Sequence, residues 1–169
     1  MDKITLKIKS FTNAETSRKT EGGSPRLASA GVLPLCPDTG RVLLNLRSQK
    51  VSSHKGEWSV WGGGLEDNET PEEAAIRELA EEAGYSGPIR LVRAYRFISP
   101  DKVFSYHHFL GIVKEEFRPA INWESDAWRW IKPADFEILD SPMHPGFLEF
   151  IENSKGLIEL YTGAPARLP

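Results

Sequence analysis

Eight acids crowd the short run from Glu66 to Glu82: Glu66, Asp67, Glu69, Glu72, Glu73, Glu78, Glu81 and Glu82, with Arg77 as the lone base. Just upstream, Arg41, Arg47, Lys50 and Lys55 carry a stretch that has no acid. Acids beside bases suit a metal–polyphosphate complex, in which carboxylates hold the cation and the bases meet surplus phosphate charge. Charge runs by themselves are more simply read as two solvated faces, so the spacing within the acidic run has to carry the case.

Residues 71–83 read as a helix. Thr70 suits the N-cap, Pro71 the first helical position, Glu73 closes a capping box and Gly84 is a fitting stop. On a wheel of about 100° per residue, Glu78, Glu81 and Glu82 share one arc with Arg77 at its margin. Ala75, Ile76, Leu79, Ala80 and Ala83 fall on the other side and are expected to pack on a sheet. Glu78 faces Glu81 at i,i+3 and Glu82 at i,i+4, so like charges are paired where a surface helix would intersperse lysine. Clustered carboxylate oxygens are ligands for Mg²⁺, with Mn²⁺ as a substitute. The alternative is a solvated acidic helix.

Ahead of the helix lie Gly62, Gly63 and Gly64, expected to let the backbone turn closely around an ion in conformations other residues resist. From Gly63, five residues lead to Glu69 and seven more to Arg77-Glu78-Leu79. Glu81-Glu82 and Gly84 complete the pattern. This spacing resembles the Nudix box of the Nudix hydrolase family. Tyr85 stands at a final position that is usually aliphatic, and Trp61 where many relatives carry proline.

The resemblance implies that Glu78, Glu81 and Glu82 are metal ligands, that Arg77 orients them, and that the Gly62 carbonyl is a further ligand. Glu69 is expected to orient bound water or a neighbouring group. The reaction implied is hydrolysis of a nucleoside diphosphate linked to another group, by water attack on phosphorus. Arg47 and Lys55 are candidates for phosphate contacts and equally readable as solvated cations. The base is a box glutamate or a later acid. Glu124 lies where such a loop acid is expected, and Asp126, Glu115 and Glu116 compete with it.

Pro100 follows Tyr85 by fifteen residues, an offset resembling a proline marker of the ADP-ribose pyrophosphatase branch. The run Trp61-Gly62-Gly63-Gly64 does not look like that branch, which leaves an ADP-ribose-like compound and a nucleoside triphosphate both open. A non-catalytic nucleotide sensor on the same fold is the alternative function. An isoprenoid diphosphate isomerase is remote, because Cys36 is the lone thiol.

The positioning elements follow from periodicity and turn chemistry. Residues 3–9 alternate as a strand, and residues 10–27 read as a loop or linker. Ala28–Leu35 and Arg41–Arg47 flank Pro37-Asp38-Thr39-Gly40 and predict a hairpin. Ile89–Phe97, Val103–Val113 and Trp128–Ile131 read as strands, Pro145–Asn153 as a helix with a core-facing stripe, and residues 162–169 as a mobile tail. His107 and His108 are adjacent in a strand and point to opposite faces. His144 belongs to the start of the last helix.

This pattern predicts an α/β (α+β) fold, a mixed sheet covered by helices, and the resemblance implies a Nudix-like α/β/α sandwich in one domain over residues 1–169. The 169 residues, 40% hydrophobic and 27% charged, fit a soluble globular domain. No apolar run approaches a membrane span, and no signal-peptide core follows Met1-Asp2-Lys3, so a cytoplasmic protein is expected. The net charge of −3 argues against general nucleic-acid binding. The expected partner is a nucleotide substrate, and a homodimer is compatible with the sequence.

Overall fold

The computed structural model describes residues 27–169; the strand expected over residues 3–9 and nearly all of the linker after it lie outside them. Strands β1 (Leu27–Cys36) and β2 (Arg41–Arg47) meet across the predicted turn, where Gly40 adopts φ 65°. They stay paired only at Leu35 with Val42 and Cys36 with Arg41. Beyond that point the sheet forks. On the forked edge, Ser29–Val32 of β1 pair antiparallel with β4 (Trp61–Gly64), while the other edge of β1 runs parallel to β6 (Phe104–Ile112). β2 continues with β3 (Trp58–Ser59) and β7 (Ser125–Ile131), and β5 (Arg90–Ile98) closes the far side against β6.

Helix α1 (Pro71–Ala83) and helix α2 (Pro145–Thr162) cover opposite faces of this mixed sheet. β1 is buried on both faces and alternates between them. Ala30 and Val32 join Trp61, Leu79 and Phe109 beneath α1, whereas Leu33 and Leu35 join Phe136, Phe147, Phe150 and Ile151 beneath α2. A fully buried leucine or phenylalanine of this kind contributes roughly 1.5–3 kcal/mol. Trp61 fills the α1 side, and its Nε1 donates to the Leu43 carbonyl at 3.0 Å, which accounts for an indole next to the glycines. Tyr85 stacks on Phe117 and donates to the Pro88 carbonyl.

Three expectations need correction. Helix α2 runs to Thr162 rather than stopping near Asn153, because Ser154, Leu157 and Ile158 continue its buried stripe past Gly156. The segment after it packs instead of trailing: Ala166 is buried, Leu168 packs against the core, and the Arg167 N–H donates to the Pro133 carbonyl. On α1, Ile76 and Ala80 face solvent, while Ala74 and Glu82 are buried with Ala75, Leu79 and Ala83. The true packing face therefore includes Glu82. Among the described residues no helix is long and apolar enough to cross a membrane.

Candidate active site

Both ends of α1 are fixed by the residues the sequence supplies. The Thr70 side chain accepts the Glu73 N–H, Glu73 accepts the Thr70 N–H at 2.8 Å, and Gly84 ends the helix in the left-handed conformation at φ 66°. Between these ends the helix packs with Glu82 turned into the protein, where it is 3% exposed, and with Glu78 half-buried beside it. Glu81 points outward, with its side chain 56% exposed.

Glu82 and Glu78 meet the glycine strand. The Gly62 N–H donates to Glu82 Oε2 at 2.9 Å. A Cβ on Gly63 would come within 2.6 Å of Glu78 Oε1, and one on Gly62 would run into the Ala30 carbonyl and the Gly31 Cα of β1. The expectation of unusual glycine conformations is corrected here. Gly62, Gly63 and Gly64 lie in extended strand, and none has positive φ. Gly62 and Gly63 are needed for close approach, not for turning.

Arg77 clasps the outer side. Its Nε and Nη2 bond the two oxygens of Glu69 at 2.8 and 2.9 Å, Nη1 reaches Glu78 at 2.8 Å and Glu81 at 3.2 Å, and Nη2 also donates to the Gly64 carbonyl at 2.9 Å. A planar fork with five donors suits this set of acceptors. Glu69, expected to orient bound water or a neighbouring group, anchors Arg77, and it also accepts the Glu66 N–H. The Arg77 hydrogen bond, helped by that backbone donor, holds Glu69 below the ordinary carboxylate range.

The inner carboxylates are held in the opposite sense. Burial pushes Glu82 up to about 9, the facing Glu124 and Glu78 add to the rise, and the Gly62 N–H opposes it. Burial also raises Glu78, against the pull of Arg77. Glu124 thus belongs to the cluster. Its backbone is set by its own N–H on Asn122 Oδ1 and by the Ser48 N–H on its carbonyl. The competing acids have other partners or none: Asp126 accepts the Gln49 N–H, Glu116 pairs with Arg41, and Glu115 is exposed.

Of the two proposed phosphate contacts, Arg47 is half-buried and binds the Ser53 carbonyl through Nε and Nη2, closing the loop between β2 and β3. Lys55 is exposed on that loop. His107 and His108 do point to opposite faces. His108 stacks on Phe150 under α2, and burial together with nearby His144 and His107 holds it down to about 3. His107 is held low by burial and by Arg96 and Arg93. His144 caps α2, its Nδ1 accepting the Gly146 N–H.

Tyr106 was missed. Its hydroxyl occupies the hollow left by Gly31 and Gly62, and burial beside Glu82 and Glu78 raises its pKa. The available signal was strand alternation, which puts Tyr106 on one face with His108.

The chemistry of this donor set, buried carboxylates crowded against a strand of bare backbone, fits a hard divalent cation. Glu78, Glu82 and Glu124 are brought together, whereas Glu81 is drawn aside by Arg77.

Residues 25–153 match the NUDIX domain model. A Mycobacterium tuberculosis protein provisionally named 8-oxo-dGTP diphosphatase 3 is 34% identical over 129 residues, which cover 72% of this chain and 58% of that protein, so the chain spans little over half of that relative. Nucleoside triphosphatase NudI of Escherichia coli K12 is 28% identical over 62% of this chain and 82% of its own length. Among solved structures, the Nudix hydrolase RenU of M. smegmatis superposes with a TM-score of 0.63 at 26% identity, over 87% of this chain and 92% of that one. A Nudix hydrolase from Nitrosomonas europaea gives a TM-score of 0.65 at 22% identity, over 86% and 78%. With its box built into a capped helix, a glycine strand and an arginine clasp, the chain belongs to the Nudix hydrolase family.

Proposed function

We propose that the protein is a Mg²⁺-dependent pyrophosphohydrolase that cleaves a nucleoside triphosphate, or another nucleoside diphosphate linked to a further group, by water attack on phosphorus. The observation that carries this reading is Glu82, buried, pushed up to about 9 and crowded by Glu78 and Glu124 against the Gly62–Gly63 strand. An uncompensated carboxylate in that position is costly, and a divalent cation removes the cost.

Glu78 and Glu82, with the Gly62 carbonyl, would hold the cation, and Glu81 would join them on leaving Arg77. Bound there, Mg²⁺ would supply charge neutralisation at the phosphoryl oxygens and acidify coordinated water. Arg77 keeps Glu78 oriented through the clasp that Glu69 anchors. Glu124 faces the cluster from the loop before β7 and is assigned the proton of the attacking water. Arg47 supplies positive charge on the flank, and exposed Lys55 extends it.

The choice of a triphosphate is supported by the names of the two curated relatives, one an 8-oxo-dGTP diphosphatase and the other a nucleoside triphosphatase. The ADP-ribose alternative rests on Pro100, which sits in the turn joining β5 to β6, where the Lys102 N–H donates to the Ser99 carbonyl. The test is a panel of oxidised and ordinary nucleoside triphosphates plus ADP-ribose, incubated with Mg²⁺ or with chelator, with products identified by mass spectrometry. Mononucleotide and pyrophosphate formed only with Mg²⁺ is the expected result. Equal turnover with chelator rejects the metal mechanism, and tight binding without products favours a sensor.

A further inference from the structure

A cluster of metal-ligating side chains lies away from the box. His54 and Glu57 belong to the loop between β2 and β3, and His144 stands at the start of α2. Backbone pairing brings these distant segments together: the Trp58 N–H donates to the Pro142 carbonyl at 2.8 Å, and the His144 N–H returns to the Trp58 carbonyl at 2.9 Å. The loop is closed at its base, where the Arg47 N–H donates to the Glu57 carbonyl and the Gly56 N–H to the Arg47 carbonyl. His54 holds a left-handed backbone at φ 53°, uncommon for a residue with a side chain. Its ring centroid lies 4.1 Å from that of His144, and its Nδ1 is 2.9 Å from Glu57 Oε2. One ligand atom from each of His54, Glu57 and His144 falls within 4.8 Å of the others, and no other such group of histidine, cysteine or carboxylate ligands occurs among the described residues.

We propose that His54, Glu57 and His144 form a transition-metal site, separate from the glutamate cluster, that takes Zn²⁺. Two imidazoles and one carboxylate are a borderline-soft donor set that suits zinc and leaves a fourth position open, whereas Mg²⁺ selects oxygen ligands. Glu57 offsets the positive charge of nearby Arg47.

Occupancy has a structural consequence. The His144 Nδ1 that accepts the Gly146 N–H requires the proton to sit on Nε2. Metal at Nδ1 displaces that N–H, and metal at Nε2 moves the proton to Nδ1, so either way the cap bond is surrendered. The start of α2 survives, because the Phe147 and Leu148 N–H groups still donate to the His144 carbonyl. Zinc therefore ties the β2–β3 loop to α2 and frees one amide.

The experiment titrates the full chain with ZnCl2 alone, in excess Mg²⁺, by calorimetry. Three variants run beside the wild type: His54→Asn, His144→Asn and Glu82→Gln. Asparagine tolerates the left-handed backbone and caps helices, so both histidine variants keep the local fold and lose only the imidazole. One equivalent of zinc is expected, its affinity falling at least about tenfold in each histidine variant and holding in Glu82→Gln. Amide exchange at Gly146 should accelerate when zinc is added to the wild type. Absence of zinc binding overturns the proposal. So does binding that survives both histidine variants but is lost in Glu82→Gln, which would put the metal on the glutamate cluster.

Discussion

Glu82 Oε2 accepts the backbone N–H of Gly62 at 2.9 Å, a single bond that joins the most buried carboxylate of α1 to the strand at the fork of the sheet. One polar contact does not neutralise a charge at 3% exposure, and burial leaves Glu82 protonated up to about 9. The fold thus keeps an acid in a position that only a cation makes comfortable.

Glu82→Gln is accordingly expected to divide stability from activity. Hydrolysis should fall by at least about 10²-fold, the loss of a charged metal ligand. Thermal melts in chelator should show a metal-free protein no less stable than the wild type at neutral pH. Wild-type turnover in this variant would remove Glu82 from the site.

The pH dependence of stability has a definite sign. The unfolded Glu82 releases its proton near 4.5 while the folded one keeps it to about 9. Through that window the folded state binds more protons, so metal-free stability falls as pH rises and is greatest below it. Denaturant titrations in chelator at several pH values should show this slope. Mg²⁺ should flatten it, and Glu82→Gln should weaken it, leaving the part that Glu78 contributes.

The three glycines should respond differently to alanine. Gly62→Ala drives a methyl into the backbone of β1, which cannot yield, and should destabilise the protein by about 3 kcal/mol. Gly63→Ala meets the movable Glu78 carboxylate, so activity should drop about 10²-fold with little change in melting temperature. Gly64→Ala meets nothing within 4 Å and should stay within about 0.5 kcal/mol of wild type. Circular dichroism melts and steady-state kinetics on the three variants check the pattern.

Arg77→Lys keeps the charge and loses the fork. A lysine cannot serve both oxygens of Glu69, Glu78, Glu81 and the Gly64 carbonyl together. Activity should fall about 10²-fold as Glu78 swings free, an effect visible in kcat at saturating Mg²⁺. Unchanged kcat would make the clasp purely structural.

Glu124→Gln and Asp126→Asn separate the two loop acids. Glu124 faces Glu82, and its amide variant should lose about 10²–10⁴-fold in rate. Asp126 accepts the Gln49 N–H outside the cluster, so its variant should alter melting temperature and leave the rate near that of the wild type.

Much of the site was legible because local rules wrote it. Thr70, Pro71, Glu73 and Gly84 delimit α1 by capping chemistry that acts within a turn, and the box spacing puts Glu78, Glu81 and Glu82 on that helix whatever it packs against. The hairpin at Pro37–Gly40 and the strands β5 and β6 follow from turn chemistry and apolar runs of the same short range. What local rules cannot supply is which side of α1 is inside. Ile76 and Ala80 suit a core and face water, while Glu82 is buried, because the close approach of the Gly62–Gly63 strand, rather than side-chain polarity, sets the rotation of the helix. Nor could they assign Glu124 and Asp126, two residues apart, to different partners, or bring His54 and Glu57 against His144 across nearly ninety residues. The sequence determined the elements and their caps, since those interactions span a few residues. Only the tertiary fold decided which acids share a cavity, since burial and long-range pairing belong to the packed sheet as a whole.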